Sequence, residues 1–210
     1  MVKPNFYTNE YYHIYNRGNN KRNVFLESLD FSRFMDSIIQ FNSEEPIGSI
    51  YQNSFRDKSL RSSTPKLVEI ICYCLNPNHF HLLLKQLVNK GISKFMHRLG
   101  TGYTNKFNLK YDGSGSLFQG RYKAIHINSN GYLLHLSSYI NLNYKVHGLE
   151  SSVSRSSWEE FINNKDSDYK ISTNEIILAQ FKNKREYEKF ALESLSTIRQ
   201  KRDMEELLLE

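Results

Sequence analysis

An α+β fold is predicted by three features of the sequence. Two apolar runs, Leu67 to Leu75 and His79 to Leu84, flank the turn residues Asn76-Pro77-Asn78; two longer segments repeat apolar residues every three or four positions; and these alternate with short aromatic and β-branched stretches. The chain has 210 residues, 39% of them hydrophobic and 13% aromatic. That is enough for one cored domain with an appendage, and too apolar for a disordered chain. No apolar run approaches the roughly 20 residues of a membrane-spanning helix, and Met1 to Glu10 lacks the apolar stretch of a secretory leader. A cytoplasmic protein with no membrane partner is therefore expected.

Taken in order, Tyr11 to Tyr15 is aromatic and β-branched and ends at Asn16-Arg17-Gly18, which reads as a first strand and its turn. Phe31, Phe34, Met35, Ile38 and Ile39 then recur at helical spacing between Asp30 and Phe41, with Asp30 as candidate N-cap. Ser43 to Lys66, Ser-rich and carrying Pro46, Gly48 and Pro65, reads as a projecting loop or insertion. The two apolar runs around Pro77 form a β-hairpin. Gly91 to Lys110 places Ile92, Phe95, Met96, Leu99, Tyr103 and Phe107 on one helical face, with Gly100 and Gly102 weakening it locally. Beyond the flexible Asp112 to Ser116, Tyr122 to Ile127 is a fourth strand, and Gly131 to about Val146 is another helix. The order β-α-β-β-α-β-α is the split βαβ, ferredoxin-like arrangement. It predicts an antiparallel four-stranded sheet with two helices on one face, an added helix, and an open face available for a site. Residues 1–148 would form this domain, with the insertion at about 43–66, and residues 149–210 a C-terminal helical extension.

Charge points to a polyanion. The net +6 is uneven: up to His147 there are 18 Lys and Arg against 9 Asp and Glu, and beyond it 10 against 13. Basic groups interleaved with aromatic side chains suit phosphates and unpaired bases. Arg17, Lys94, Arg98, Lys106, Arg121 and Lys123 are the candidate DNA-backbone contacts. Phe118 and Tyr122 either stack on a base or pack in the core, and packing is the expectation for each.

The chemistry-bearing residues are few. His79-Phe80-His81 puts two imidazoles on one face of a strand, where they can ligate one cation. In the last core helix Tyr139 and Asn143 lie one turn apart on a common face, so a nucleophile and a further ligand can share that helix. His135, one turn before Tyr139, is a further candidate ligand or proton acceptor. His13 on the first strand belongs either to the core or near the cation. Tyr132 and Tyr144 are rival phenols without an amide one turn later. Cys72 and Cys74 are too close on one strand for a disulfide and should be reduced.

Four segments together resemble the single-tyrosine transposases of the HUH endonuclease superfamily, and most closely the REP-associated tyrosine transposases. They are Tyr12-His13-Ile14-Tyr15-Asn16-Arg17-Gly18, Asn76-Pro77-Asn78-His79-Phe80-His81-Leu82-Leu83, Phe118-Gln119-Gly120-Arg121-Tyr122-Lys123-Ala124 and Tyr139-Ile140-Asn141-Leu142-Asn143. The resemblance spans roughly Tyr7 to Leu149. It implies that Tyr139 attacks a phosphodiester in single-stranded, hairpin- or palindrome-bearing DNA, leaving a 5′-phosphotyrosine intermediate and a free 3′-hydroxyl. It also implies that His79, His81 and Asn143 hold one Mg²⁺ or Mn²⁺, and that the protein works as a monomer or homodimer. Two positions depart from the commoner wording: Asn76 stands where Met often precedes the Pro, and Tyr144 where Pro often follows the Asn.

Two other readings compete. Cys72, Cys74, His79 and His81 have the spacing of a Cys₂His₂ zinc site, if Cys74 lies across the hairpin from His79 and Cys72 from His81. A ferredoxin-like sheet with surface aromatics is also how non-catalytic modules bind single-stranded nucleic acid.

Overall fold

The computed structural model describes residues 4–55, 64–163 and 170–207, and side chains up to residue 199. Most of the insertion expected at 43–66 is within this range as far as residue 55; residues 56–63 lie outside it. Strands β1 (Tyr11–Arg17), β2 (Val68–Asn76), β3 (His79–Gln86) and β4 (Lys123–Ile127) form an antiparallel sheet in the order β4-β1-β3-β2. That is the expected ferredoxin-like sheet. A fifth, two-residue strand, β5 (Arg155–Ser156), is added beside β2 by the C-terminal segment. Among the described residues no helix is long and apolar enough to cross a membrane.

Helices α1 (Ser28–Phe41) and α3 (Gly91–Lys110) cover one face of the sheet; the short α2 (Ile50–Ser54) lies between them in sequence. Strand residues of alternate parity, among them Tyr12, Ile14, Phe80, Leu82 and Leu84, meet Phe34, Phe95, Leu99 and Tyr103 there. Gly102, which costs helix propensity, is explained by packing: a Cβ on it would stand 2.6 Å from the Phe41 ring. The α1 start differs from expectation. Glu27 is the N-cap and Asp30 is the third helical residue, its carboxylate accepting from the Leu26 and Glu27 amides at 2.8 and 3.2 Å in a capping box. The same carboxylate meets Lys110 Nζ at 2.6 Å and accepts from Tyr111 Oη at 2.8 Å. Burial opposes its charge, but Lys110 and these hydrogen bonds outweigh burial and hold the carboxyl below its ordinary value. Its contribution is therefore complete above the unfolded-state value near pH 4 and is lost as pH falls through the lower folded-state value. Asp30→Asn should cost about 1–3 kcal/mol in urea unfolding at pH 7 and less at acid pH; a pH-independent cost would refute this account.

The other face is not open, as the element order had suggested. The predicted last core helix is two segments, α4 (Asn130–Asn141) and α5 (Asn143–Val146), broken at Leu142. The two asparagines around the break are poor helix formers and are drawn into different buried bonds. Asn141 donates to Tyr187 Oη at 2.9 Å and accepts from Ser157 Oγ at 2.6 Å, whereas Asn143 points to the sheet. Helices α6 (Trp158–Ile162), α7 (Glu175–Leu178) and α8 (Lys184–Leu207) complete this layer. Trp158, Phe161, Ile177, Tyr187 and Ala191 form one core with Leu133, Leu136 and Ile140 of α4 and with Ile71, Cys72 and Leu83 of the sheet. The extension thus braces α4 against the strands.

Candidate active site

Strand β1 puts His13, Tyr15 and Arg17 on the face that α4 covers, and β3 sets Leu83, His81 and His79 opposite them in register. The period of two explains why His79 and His81 share this face while Phe80 enters the α1/α3 core. Tyr139 of α4 lies edge-on to both imidazoles of the strand pair, its ring centroid 5.6 Å from that of His81 and 6.5 Å from that of His13. Asn143, fully buried, brings Oδ1 to 3.1 Å from His79 Nε2. The His147 ring packs against His79 at 4.8 Å. The imidazoles open into a cavity of about 300 Å³ whose mouth carries Arg17 and Lys123.

Hydrogen bonds define the imidazole protons. His79 Nδ1 lies 2.6 Å from Asn78 Oδ1, whose amide nitrogen donates to the Lys21 carbonyl. Nδ1 is therefore the protonated nitrogen of His79, and Nε2 keeps its lone pair. His81 Nδ1 and His13 Nε2 share one proton across 2.8 Å. His13, undecided from sequence, is thus a partner of His81. Burial pushes His79 and His13 down to about 4 and His81 well below its ordinary value; for His79 the nearby Asn143 oxygen, which favours the protonated ring, opposes this, while His147 and Arg17 add to it. All three are neutral near pH 7, the form that ligates metals.

His79, His81 and Asn143 fit a divalent cation. Neutral imidazole and amide oxygen are ligand types that Mn²⁺ or Mg²⁺ accepts alongside water and phosphate oxygens. Adjacent ligands of an octahedral ion with 2.1 Å bonds are about 3 Å apart, and the His79 Nε2 to Asn143 Oδ1 separation is 3.1 Å. Buried Asn143 Nδ2 finds no partner among the described residues, so its amide is oriented by its oxygen alone. Among those residues no three His, Cys, Asp or Glu side chains could hold an ion together; the set that fits is two imidazoles and an amide.

The zinc alternative does not fit. The hairpin turn is only Pro77-Asn78, so Asn76 faces His79, Cys74 faces His81 and Cys72 faces Leu83, two residues from the register that alternative needs. Burial also raises both thiols, Cys74 to about 12, which disfavours the thiolate that zinc requires.

Other candidates are dispersed. His135 packs on Phe190 and lies 3.2 Å from Ser194 Oγ, turned to α8 and away from the cavity. Tyr144 is buried and Tyr132 lies on the first turn of α4. Arg98 is a structural group: its guanidinium donates to the carbonyls of Ser43, Glu44 and Glu45 and anchors the loop after α1. Lys94 and Lys106 are exposed on α3, beneath the opposite sheet face. Arg121 lines a second cavity of about 480 Å³ between α3 and the 118–122 segment, with Phe118 and Tyr122 in its wall; both rings pack against the α1/α3 core, as expected. Sequence reading missed His147, Tyr15 and the role of Asn76. Only His147 had a signal, standing one turn beyond Asn143 and two beyond Tyr139.

The sequence profile of the family described as IS200-like transposases matches residues 6–143, more than half of the chain. A solved structure of a REP-associated tyrosine transposase bound to a REP hairpin is similar in fold, with a TM-score of 0.54 at 15% identity over 80% of this chain and 95% of that one. No curated protein matches significantly in sequence.

Proposed function

The chain belongs to the family of IS200-like transposases, and on that premise we propose that it is a metal-dependent endonuclease and strand transferase for single-stranded, hairpin- or palindrome-bearing DNA, with Tyr139 as nucleophile. The observation that carries the reading is the convergence of Tyr139 of α4 and Asn143 of α5 on His79 and His81 at the start of β3, beside a cavity that both histidines line together with Arg17 and Lys123. The hairpin substrate rests on the similar transposase, which was solved with a REP hairpin.

Tyr139 Oη attacks the scissile phosphorus, the bond to the 3′ oxygen breaks, and the protein keeps the 5′ phosphate as a phosphotyrosine ester. One proton leaves the phenol and one arrives on the 3′ oxygen, so religation is the same step reversed and needs no nucleotide cofactor. Held by His79, His81 and Asn143, Mg²⁺ or Mn²⁺ supplies Lewis-acid polarisation of the phosphate. Arg17 and Lys123 draw the backbone to the cavity mouth. Tyr139 stands beside the histidines of its own chain, and α8 and α6 hold its helix there, which supports action within one subunit. We assign residues 1–148 to the transposase domain and 149–210 to an extension that braces α4.

The decisive experiment incubates labelled hairpin DNA with the protein in Mg²⁺, Mn²⁺ or EDTA and seeks a covalent protein–DNA adduct on a denaturing gel. A metal-dependent adduct is expected; cleavage with no adduct would point to hydrolysis by water instead. Arg17→Ala and Lys123→Ala should each weaken DNA binding and lower the slope of log affinity against log salt by about 0.7. Lys94→Ala and Lys106→Ala, on the far side of the sheet, should change it less. Equal slopes in all four variants would remove the cavity mouth as the DNA path.

A further inference from the structure

Asn76 ends β2 fully buried, and none of the roles assigned above uses it. Its side-chain nitrogen lies 2.7 Å from Asn143 Oδ1 and 2.9 Å from His79 Nε2. Both atoms are acceptors, because the Nδ1 proton of His79 is committed to Asn78 Oδ1. One amide group thus satisfies two lone pairs that would otherwise face each other unscreened at 3.1 Å. It is held in that pose from behind: Ser154 Oγ donates to Asn76 Oδ1 at 3.0 Å, with Cys74 Sγ 3.6 Å from the same oxygen.

Lone-pair counting gives this arrangement a consequence. An amide oxygen has two acceptor sites, so Asn143 Oδ1 can keep the Asn76 bond and still ligate a cation. An unprotonated imidazole nitrogen has one, lying in the ring plane. The lone pair that His79 would offer to a cation is the one now aimed at Asn76. Resting on the metal reading above, we propose that Asn76 is a positioning residue that acts as a built-in competitor for the cation. Its carboxamide caps the His79–Asn143 pair in the empty site and must turn off His79 Nε2 before the cation is held. Ser154, just before β5, sets how firmly the cap is held, which links the C-terminal extension to the loading of the site.

The test is Mn²⁺ binding to the full chain without DNA, by calorimetry, for the wild type, Asn76→Ala, Ser154→Ala and His79→Ala. Removing a competing hydrogen bond should tighten Mn²⁺ about five- to tenfold in Asn76→Ala and by a smaller factor in Ser154→Ala. Asn76→Ala that melts like the wild type but binds Mn²⁺ no more tightly overturns the competitor role and leaves the metal reading intact. A wild type that takes up no more Mn²⁺ than His79→Ala overturns both. A second readout needs no folded variant at position 76: in wild-type protein with ¹⁵N-labelled asparagine, saturating Mg²⁺ should move the Asn76 side-chain amide resonances as they lose the imidazole acceptor. Resonances that stay fixed while Mg²⁺ binds overturn the proposal independently.

Discussion

Tyr139→Phe yields no covalent protein–DNA adduct and lowers strand cleavage by three or more orders of magnitude, the scale on which loss of a nucleophile is felt, while hairpin binding stays within about twofold of the wild type. The substitution removes one oxygen and leaves the ring, which packs edge-on against His81 and His13 and on the α4 core, so the fold and the cavity should survive it. Neither rival phenol of the α4–α5 segment is placed to take over. Tyr144 is buried and burial raises its hydroxyl; Tyr132 lies two turns back along α4, with its hydroxyl likewise raised by burial. The measurement is a single-turnover gel assay with a parallel binding isotherm. Wild-type cleavage by Tyr139→Phe would sink the assignment, and loss of binding along with cleavage would show that the hydroxyl serves DNA binding or the fold and not the attack alone.

How much of this was legible from the chain depends on the period of each element. His79 and His81 could be paired because a strand repeats every two residues, and Tyr139 with Asn143 because a helix brings residues four apart together. Facts lying between elements were out of reach. The hairpin register hung on whether the turn used two residues or four; the structure uses Pro77-Asn78 alone, and that two-residue shift puts Asn76 rather than Cys74 opposite His79. His13 carried no pattern of its own, because its meaning lies in a bond to a residue 68 positions away. Asp30 had the composition of an N-cap, but helix α1 begins two residues earlier and uses it as the other half of a capping box. Arg98 resembles a DNA contact in sequence because nothing local reveals that three loop carbonyls already claim it. The covered sheet face was missed for a similar reason: the apolar residues of 149–210 are scattered over two short helices and the long, mostly polar α8, and declare their target only once Tyr187 and Trp158 are seen against α4.

His79→Ala and His81→Ala should each abolish adduct formation at millimolar Mg²⁺ or Mn²⁺ while hairpin binding persists, because Arg17 and Lys123 at the cavity mouth are untouched. The two variants should nevertheless differ in stability. His79 has two buried or half-buried partners that its loss strands, Asn78 Oδ1 and the Asn76 amide, yet the Asn76 amide retains Asn143 Oδ1 as acceptor. His81 is more deeply buried, stacks on His13 and Tyr15, and shares a proton with His13 Nε2 at 2.8 Å. Its removal leaves a buried imidazole nitrogen without its partner and a cavity beside it, a combination expected to cost about 2–4 kcal/mol. Restoring shape without ligation separates the two effects: His81→Phe should recover part of the lost melting temperature and none of the cleavage, since a ring that packs but offers no lone pair cannot hold the cation. Recovery of cleavage in His81→Phe would mean that this position serves the fold alone, and that the phosphate is activated by groups other than the histidine pair.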